Sequence, residues 1–178
     1  MKLTPTVLSG CFRVHPFISK DDRGAFVKTF HSMRFAELGL PTMWHEEYYS
    51  SSRKGVIRGM HFQTPPNDHE KLVYCIHGKV LDVVLDLRKE SATYGQCTSV
   101  ELDSTYGHGL IIPKGMAHGF LALSDDALLA YKVTSVYAPS NDLGIRWDSF
   151  GFEWGIDKPV ISERDHNHPM LKDFSSPF

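Results

Sequence analysis

Val80-Leu81-Asp82-Val83-Val84-Leu85-Asp86-Leu87 is the run that decides the fold. Leu81, Val83, Leu85 and Leu87 fall on one side of an extended chain, and Val80, Asp82, Val84 and Asp86 fall on the other. A period of two marks a β-strand, because successive side chains point to opposite faces. Gly78-Lys79, just ahead of the run, reads as a hairpin turn. Similar segments bounded by turn residues predict strands at Ala25–Phe30, Glu46–Ser52, Val56–Gln63, Lys71–Ile76, Thr98–Leu102, Gly109–Ile112, Gly119–Ala122 and Ala127–Val136. Their spacing is that of an all-β sandwich or barrel. One short helix is predicted over Met33–Leu38, with Ser32 as its cap and Gly39 and Pro41 as its stop. The tail from Pro159 onward is polar and irregular, so it must pack on the body or stay mobile.

The 178 residues suffice for one well-buried core, and a single domain over 1–178 is expected. An apolar share of 42% and a charged share of 22% are those of an ordinary globular chain. The net charge of −2 offers no basic excess for nucleic acid, although local cations can still grip a small anion. Cys11, Cys75 and Cys97 are odd in number and lack a CxxC spacing, which predicts reduced thiols in a cytoplasmic protein. No apolar run has the length of a signal peptide or a membrane span, so no membrane partner is expected.

The densest chemistry lies in Arg58-Gly59-Met60-His61-Phe62-Gln63 and, beyond the Thr64-Pro65-Pro66-Asn67-Asp68 turn, in Glu70-Lys71-Leu72-Val73. His61 and Gln63 share one strand face. A neutral imidazole with cations close by suits proton abstraction from an anionic substrate. Arg58 has the opposite parity to His61, so it joins the same pocket only through a twist or bulge at Gly59. Tyr131 and Tyr137 have equal parity and would face one side of a regular strand with Leu129 and Val133. His15, His31, His108, His166 and His168 read as ordinary structural or surface histidines.

The ordered set of motifs resembles the dTDP-4-dehydrorhamnose 3,5-epimerase family of cupin-type nucleotide-sugar epimerases. It comprises Asp22-Arg23-Gly24, Val56 to Gln63, Lys71-Leu72-Val73, Asp82 to Ser91, Ile112 to Phe120, Tyr131 to Thr134, Tyr137-Ala138-Pro139 and Gly144 to Trp147. The resemblance implies an all-β, cupin-type jelly-roll barrel with a short helix and an irregular C-terminal tail. It also implies a homodimer with strands shared between subunits. The implied reaction is epimerisation at C3, C5 or both of a nucleotide-linked 4-keto-6-deoxyhexose in deoxysugar biosynthesis, with no cofactor and no metal. His61 would then remove a proton beside the ketone, Asp165 would pair with His61, and Tyr131 would return a proton on the opposite face. Lys71 would stabilise the enolate oxygen, and Arg23 and Arg58 would hold the diphosphate. Gln63, Tyr137 and Arg164 would be further substrate contacts, with one of Tyr131 and Tyr137 as the acid and the other on the sugar. His118 fits either a substrate contact or a structural hydrogen bond beside the Pro113-x-Gly115 turn.

Three positions depart from the family pattern where the nucleotide or sugar is read. Lys28 stands where glutamate is usual, the His45-Glu46-Glu47-Tyr48-Tyr49-Ser50 run replaces a Gln-x-Asn-His-Ser run, and Val136 replaces a common aromatic. Lys28, Glu46 and Tyr48 therefore point to a variant substrate, a CDP- or GDP-linked or otherwise modified sugar. Tyr48 competes with Tyr131 as the acid. The rival readings are a nucleotide-sugar 3,4-ketoisomerase, a metal-dependent cupin and a non-catalytic sugar-binding cupin. Against the metal reading stands Gln63, in a position where a second histidine would be needed.

Overall fold

The computed structural model describes residues 1–178. In chain order the strands are β1 (Lys2–Pro5), β2 (Phe12–His15), β3 (Phe17–Asp21), β4 (Gly24–Lys28), β5 (Glu46–Ser52), β6 (Ile57–Gln63) and β7 (Lys71–His77). Beyond them come β8 (Lys79–Asp86), β9 (Cys97–Asp103), β10 (Gly109–Ile112), β11 (Met116–Ala122), β12 (Ala127–Val133) and β13 (Asp142–Gly144). Two short helices, α1 (Ser32–Glu37) and α2 (Glu163–His166), and a single 3-10 turn at Leu171–Asp173 complete the chain. A six-stranded sheet runs β1-β2-β10-β7-β12-β5, a five-stranded sheet runs β13-β6-β11-β8-β9, and β3 and β4 form a separate ribbon. This is the all-β architecture that the strand pattern predicts, of the cupin type that the resemblance implies.

The run from Val80 to Leu87 explains how the sheets stack. Val80 and Val84 of β8 join Leu102 and Phe120 of their own sheet and Val73, Leu110, Leu129 and Tyr131 of the other in one core between the sheets. Burying a side chain of this size contributes about 1.5–3 kcal/mol. Val83, Leu85 and Leu87 instead face outward, into a second cluster with Met60, Phe62, Ala117, Ile145 and Trp154. The C-terminal segment covers that outer face, with Trp147, Phe152, Phe174 and Phe178 against it. β8 is therefore buried on both sides, and its acidic side chains Asp82 and Asp86 are buried with it. A third cluster seats Phe35 of α1 against Val14, Leu72 and Ile111 on the outer face of the six-stranded sheet.

Several expectations need correction. Gly78 does not make a hairpin, because β7 and β8 belong to different sheets. Its φ of +72° turns the chain from one sheet to the other, and a Cβ there would meet Ser124 Oγ at 2.2 Å. Ser32 lies inside α1 rather than capping it; His31 holds the N-cap position without a side-chain hydrogen bond. β12 ends at Val133, so Tyr137 lies beyond the strand and parity does not orient it. β1, β2, β3 and β13 are additional to the predicted strands. The tail packs on the body: Phe62 meets Phe174 and Phe178 edge-on, and Ser176 donates to the Leu87 carbonyl at 2.5 Å.

The pairing of β6 with β11 is irregular at the point that shapes the cavity. Its register moves from His61 opposite His118 to Arg58 opposite Phe120, which is a bulge. The bulge sits at Gly59, where φ is +131° and a Cβ would lie 2.5 Å from Gly119 Cα. Only glycine accepts that conformation and that contact. Ile57 and Met60 can then face outward while Arg58 and His61 both face inward.

Candidate active site

Between the two sheets lies a cavity of about 380 Å³, bordered by Arg58, His61, Gln63 and His118 from one wall and Glu46, Tyr48, Ser50, Lys71 and Tyr131 from the other. His61 Nε2 lies 2.7 Å from Asp165 Oδ1, and the Gly59 N–H donates to Oδ2 at 3.0 Å. α2 sets the carboxylate there: the Asp165 N–H donates to Ser162 Oγ at the helix N-cap. Burial opposes ionisation of Asp165, but His168, His61 and the Gly59 N–H outweigh it and hold its carboxyl far below the usual carboxylate range. An ionised carboxylate only accepts, so Nε2 of His61 carries the hydrogen and Nδ1 is the free basic atom. Burial also lowers the His61 pKa, against the pull of Asp165, so the ring is neutral near pH 7. A neutral, oriented imidazole is what a general base requires.

On the facing wall, Lys71 Nζ is buried and donates to the His61 carbonyl at 3.1 Å. Burial, opposed by Asp142 and Asp82, pulls its pKa down to about 8. Tyr131 shares a 3.1 Å hydrogen bond with Ser50 Oγ and stacks on Tyr48, its register partner on β5, at 4.8 Å between ring centroids. Burial pushes the Tyr131 phenol well above its ordinary range, and burial and then Glu46 push Tyr48 up to about 12. Both phenols therefore keep their protons at neutral pH. His118 joins Asp82 at 2.8 Å to make a second, fully buried imidazole–carboxylate pair.

At the rim, Arg58 donates to Ser52 Oγ and the Ser51 carbonyl, so the bulge expected at Gly59 indeed turns it into the cavity. Glu46 accepts from the Tyr137 N–H at 2.8 Å and thereby holds the segment that brings Tyr137 to the cavity. Gln63 also borders the cavity, yet its carboxamide is spent on the fold. It donates to the Asn67 carbonyl at 2.8 Å and accepts from the Ala138 N–H at 2.7 Å. Arg164 pairs with Asp142 at 2.8 Å. Two predicted residues stand elsewhere. Arg23 is exposed on the β3–β4 ribbon, paired only with Asp21, and Lys28 sits beside Met1, Phe17, His31 and Arg34.

Sequence reasoning missed Ser50, His69 and Asp142 on the cavity wall, and Asp82 and His168 behind it. Asp82 had a readable signal, a carboxylate amid the apolar run of β8. His168, read as an ordinary histidine, instead brings Nε2 to 3.7 Å from Asp165 Oδ1. His61, Asp165 and His168 are side chains of metal-binding type, with their donor atoms within 4.8 Å of one another. The 2.7 Å between His61 Nε2 and Asp165 Oδ1 is a hydrogen-bond length. It is shorter than the ~3.3 Å that separates two donors on one tetrahedral zinc ion with ~2.0 Å bonds. His61 and Asp165 are thus joined by a hydrogen bond, with His168 standing just beyond hydrogen-bond reach of the same oxygen.

Residues 5–173 match the sequence profile of a family described as dTDP-4-dehydrorhamnose 3,5-epimerase. A dTDP-4-dehydrorhamnose 3,5-epimerase from Methanothermobacter thermautotrophicus is 42% identical over 173 residues, 94% of this chain and 93% of that one. A dTDP-4-dehydrorhamnose 3-epimerase from Streptomyces niveus is 35% identical over 174 residues, 96% of this chain and 84% of that one. Among solved structures, the dTDP-6-deoxy-D-glucose-3,5-epimerase of Legionella pneumophila in complex with dTDP-4-keto-L-rhamnose superposes with a TM-score of 0.92. It is 33% identical and covers 98% of this chain and 94% of its own.

Proposed function

The chain belongs to the dTDP-4-dehydrorhamnose 3,5-epimerase family, and from that premise we propose how its residues carry out epimerisation of a nucleotide-linked 4-keto-6-deoxyhexose. The observation that carries the reading is the placement of His61, paired with the Asp165 carboxylate, and of Tyr131 on opposite sheets around one cavity. Inverting a carbon beside a ketone removes a proton from one face and returns one to the other, so base and acid must stand on opposite sides. His61 Nδ1 takes the proton, and Asp165 orients the ring and offsets the imidazolium charge, as in hydrolytic triads. Lys71, still cationic below pH 8, and His118 stabilise the enolate oxygen in a water-poor site. Tyr131 then delivers its proton, with Ser50 holding the hydroxyl. Such a positioned acid or base contributes about 10²–10⁴-fold.

Arg58 and Arg164 grip the diphosphate, and Glu46, Tyr48, Gln63 and Tyr137 shape the sugar and nucleotide end. Arg23 and Lys28 serve the cavity of a second copy in a homodimer. Their ribbon is solvent-exposed here and carries Phe17 and Phe26 uncovered, 54% and 61% exposed. We place the protein in the cytoplasm, a compartment that suits its three free cysteines; no helix is long and apolar enough to cross a membrane.

The two tyrosines provide the test of the acid. Tyr131 is buried and hydrogen-bonded, whereas Tyr48 is 43% exposed. Tyr131→Phe should lower the rate of inversion by about 10²-fold or more with little change in KM. Tyr48→Phe should leave kcat within a few-fold. Polarimetry or NMR of the product reads both, and the reverse ranking would transfer the acid role to Tyr48.

A further inference from the structure

We propose that His168 is a positioning residue that shares Asp165 with His61 and sets the pH at which His61 becomes a competent base. Asp165 Oδ1 faces two imidazole nitrogens, His61 Nε2 at 2.7 Å and His168 Nε2 at 3.7 Å. The rings meet edge to face, with centroids 5.6 Å apart. His168 Nε2 is buried and makes no hydrogen bond. A buried polar atom without a partner costs stability, and an apolar side chain would fill this place better. The approach lies just outside hydrogen-bond length, a gap that a small ring rotation closes.

The fold holds His168 at this spot. The Pro169 carbonyl accepts from the Arg146 N–H at 2.9 Å, which anchors the segment. The ring lies over Gly144, where a Cβ would come within 2.4 Å of Nε2. Gly144 is itself the register partner of His61 across β13 and β6. One strand thus keeps the space open for His168 and pairs with the base.

The chemical consequence lies in how a carboxylate divides its charge. A second N–H directed at Oδ1 draws negative charge away from the bond to His61. The His61 imidazolium then gains less from Asp165, and the ring stays neutral to lower pH. Other charged or titratable groups facing His61 are Lys71 on β7, Arg164 on α2, His118 on β11 and Asp142 on β13. None of them touches Asp165 Oδ1, so replacing His168 isolates its effect.

This inference rests on His61 as the base, and the experiment separates the two. His168→Phe and His168→Leu keep an apolar filling over Gly144 without a nitrogen, and His168→Gln restores an N–H donor. The His61 ring is titrated by nitrogen NMR in the folded, substrate-free protein, alongside the pH profile of kcat/KM. The expected result is a His61 midpoint raised by about half to one pH unit in the Phe and Leu variants. In the Gln variant it should move back towards wild type. The acid limb of kcat/KM should shift in parallel. An unchanged His61 midpoint in a folded apolar variant would overturn the proposal. A midpoint that moves while the acid limb stays put would overturn His61 as the base and leave the coupling through Asp165 standing.

Discussion

Lys71 is a buried ammonium whose only hydrogen bond is to the His61 carbonyl, and no carboxylate touches it. Taking its pKa from 10.5 down to about 8 corresponds to a cost of about 3 kcal/mol at neutral pH. Such a group burdens the fold, which supports its proposed role at the enolate oxygen. Lys71→Met should abolish turnover while raising the unfolding free energy by about 1–3 kcal/mol, read by urea denaturation. Linkage gives the sign: the folded pKa lies below the unfolded one, so the penalty is complete below pH 8 and fades as pH rises towards 10.5. In wild type, activity should fall above about pH 8 as Lys71 loses its charge, and should fall on the acid side only below the ordinary histidine pKa. A profile without an alkaline limb near 8 would remove Lys71 from the enolate site. At this scale His61, Lys71 and Tyr131 were legible because residue type and motif order announce them. His168 was not: its meaning depends on a partner brought close by the folding of the tail.

β6 shows what an element adds to its residues. Simple alternation sets Arg58 and His61 on opposite faces, and the bulge at Gly59 brings them to one. The need for a bulge could be read from parity; its cause, the crossing of Gly59 and Gly119, is a long-range contact that no local pattern carries. Gly59→Ala should destabilise the fold by about 3 kcal/mol or more and disrupt activity, seen in denaturation and rate measurements together. β8 carries a related lesson. Its alternation identifies the strand, but not which face meets the other sheet. The all-aliphatic face lies under the C-terminal segment, while the face with Asp82 points into the cavity side. A sheet covered on both sides removes the usual equation of polar with outward. Gly78 was misread for the same reason, since a turn between sheets and a hairpin turn use the same residue.

At the scale of the molecule, two sheets supply one wall each and the tail supplies the carboxylate behind the base. The architecture was legible because the long strands announce themselves by period, whereas the short β1, β2, β3 and β13 lack enough alternation to stand out. Arg23 and Lys28 stand away from the cavity of their own chain, and the proposed second copy is what would bring them to a site. If a second copy completes each site, Arg23→Ala should raise KM with little change in kcat. Mixing Arg23→Ala with His61→Asn should then restore one site per mixed dimer. At substrate well below KM, activity above that of either variant in a refolded mixture is the expected outcome, and strict additivity would count against shared sites. The central claim is that His61 abstracts the proton beside the ketone. It is tested most directly by incubating wild type and His61→Asn with dTDP-4-keto-6-deoxyglucose in deuterated water, with CDP- and GDP-linked sugars in parallel, and locating deuterium by NMR. The account predicts deuterium at C3, or at C3 and C5, with wild type and none above background with the variant; a folded His61→Asn that exchanges as fast as wild type would contradict it.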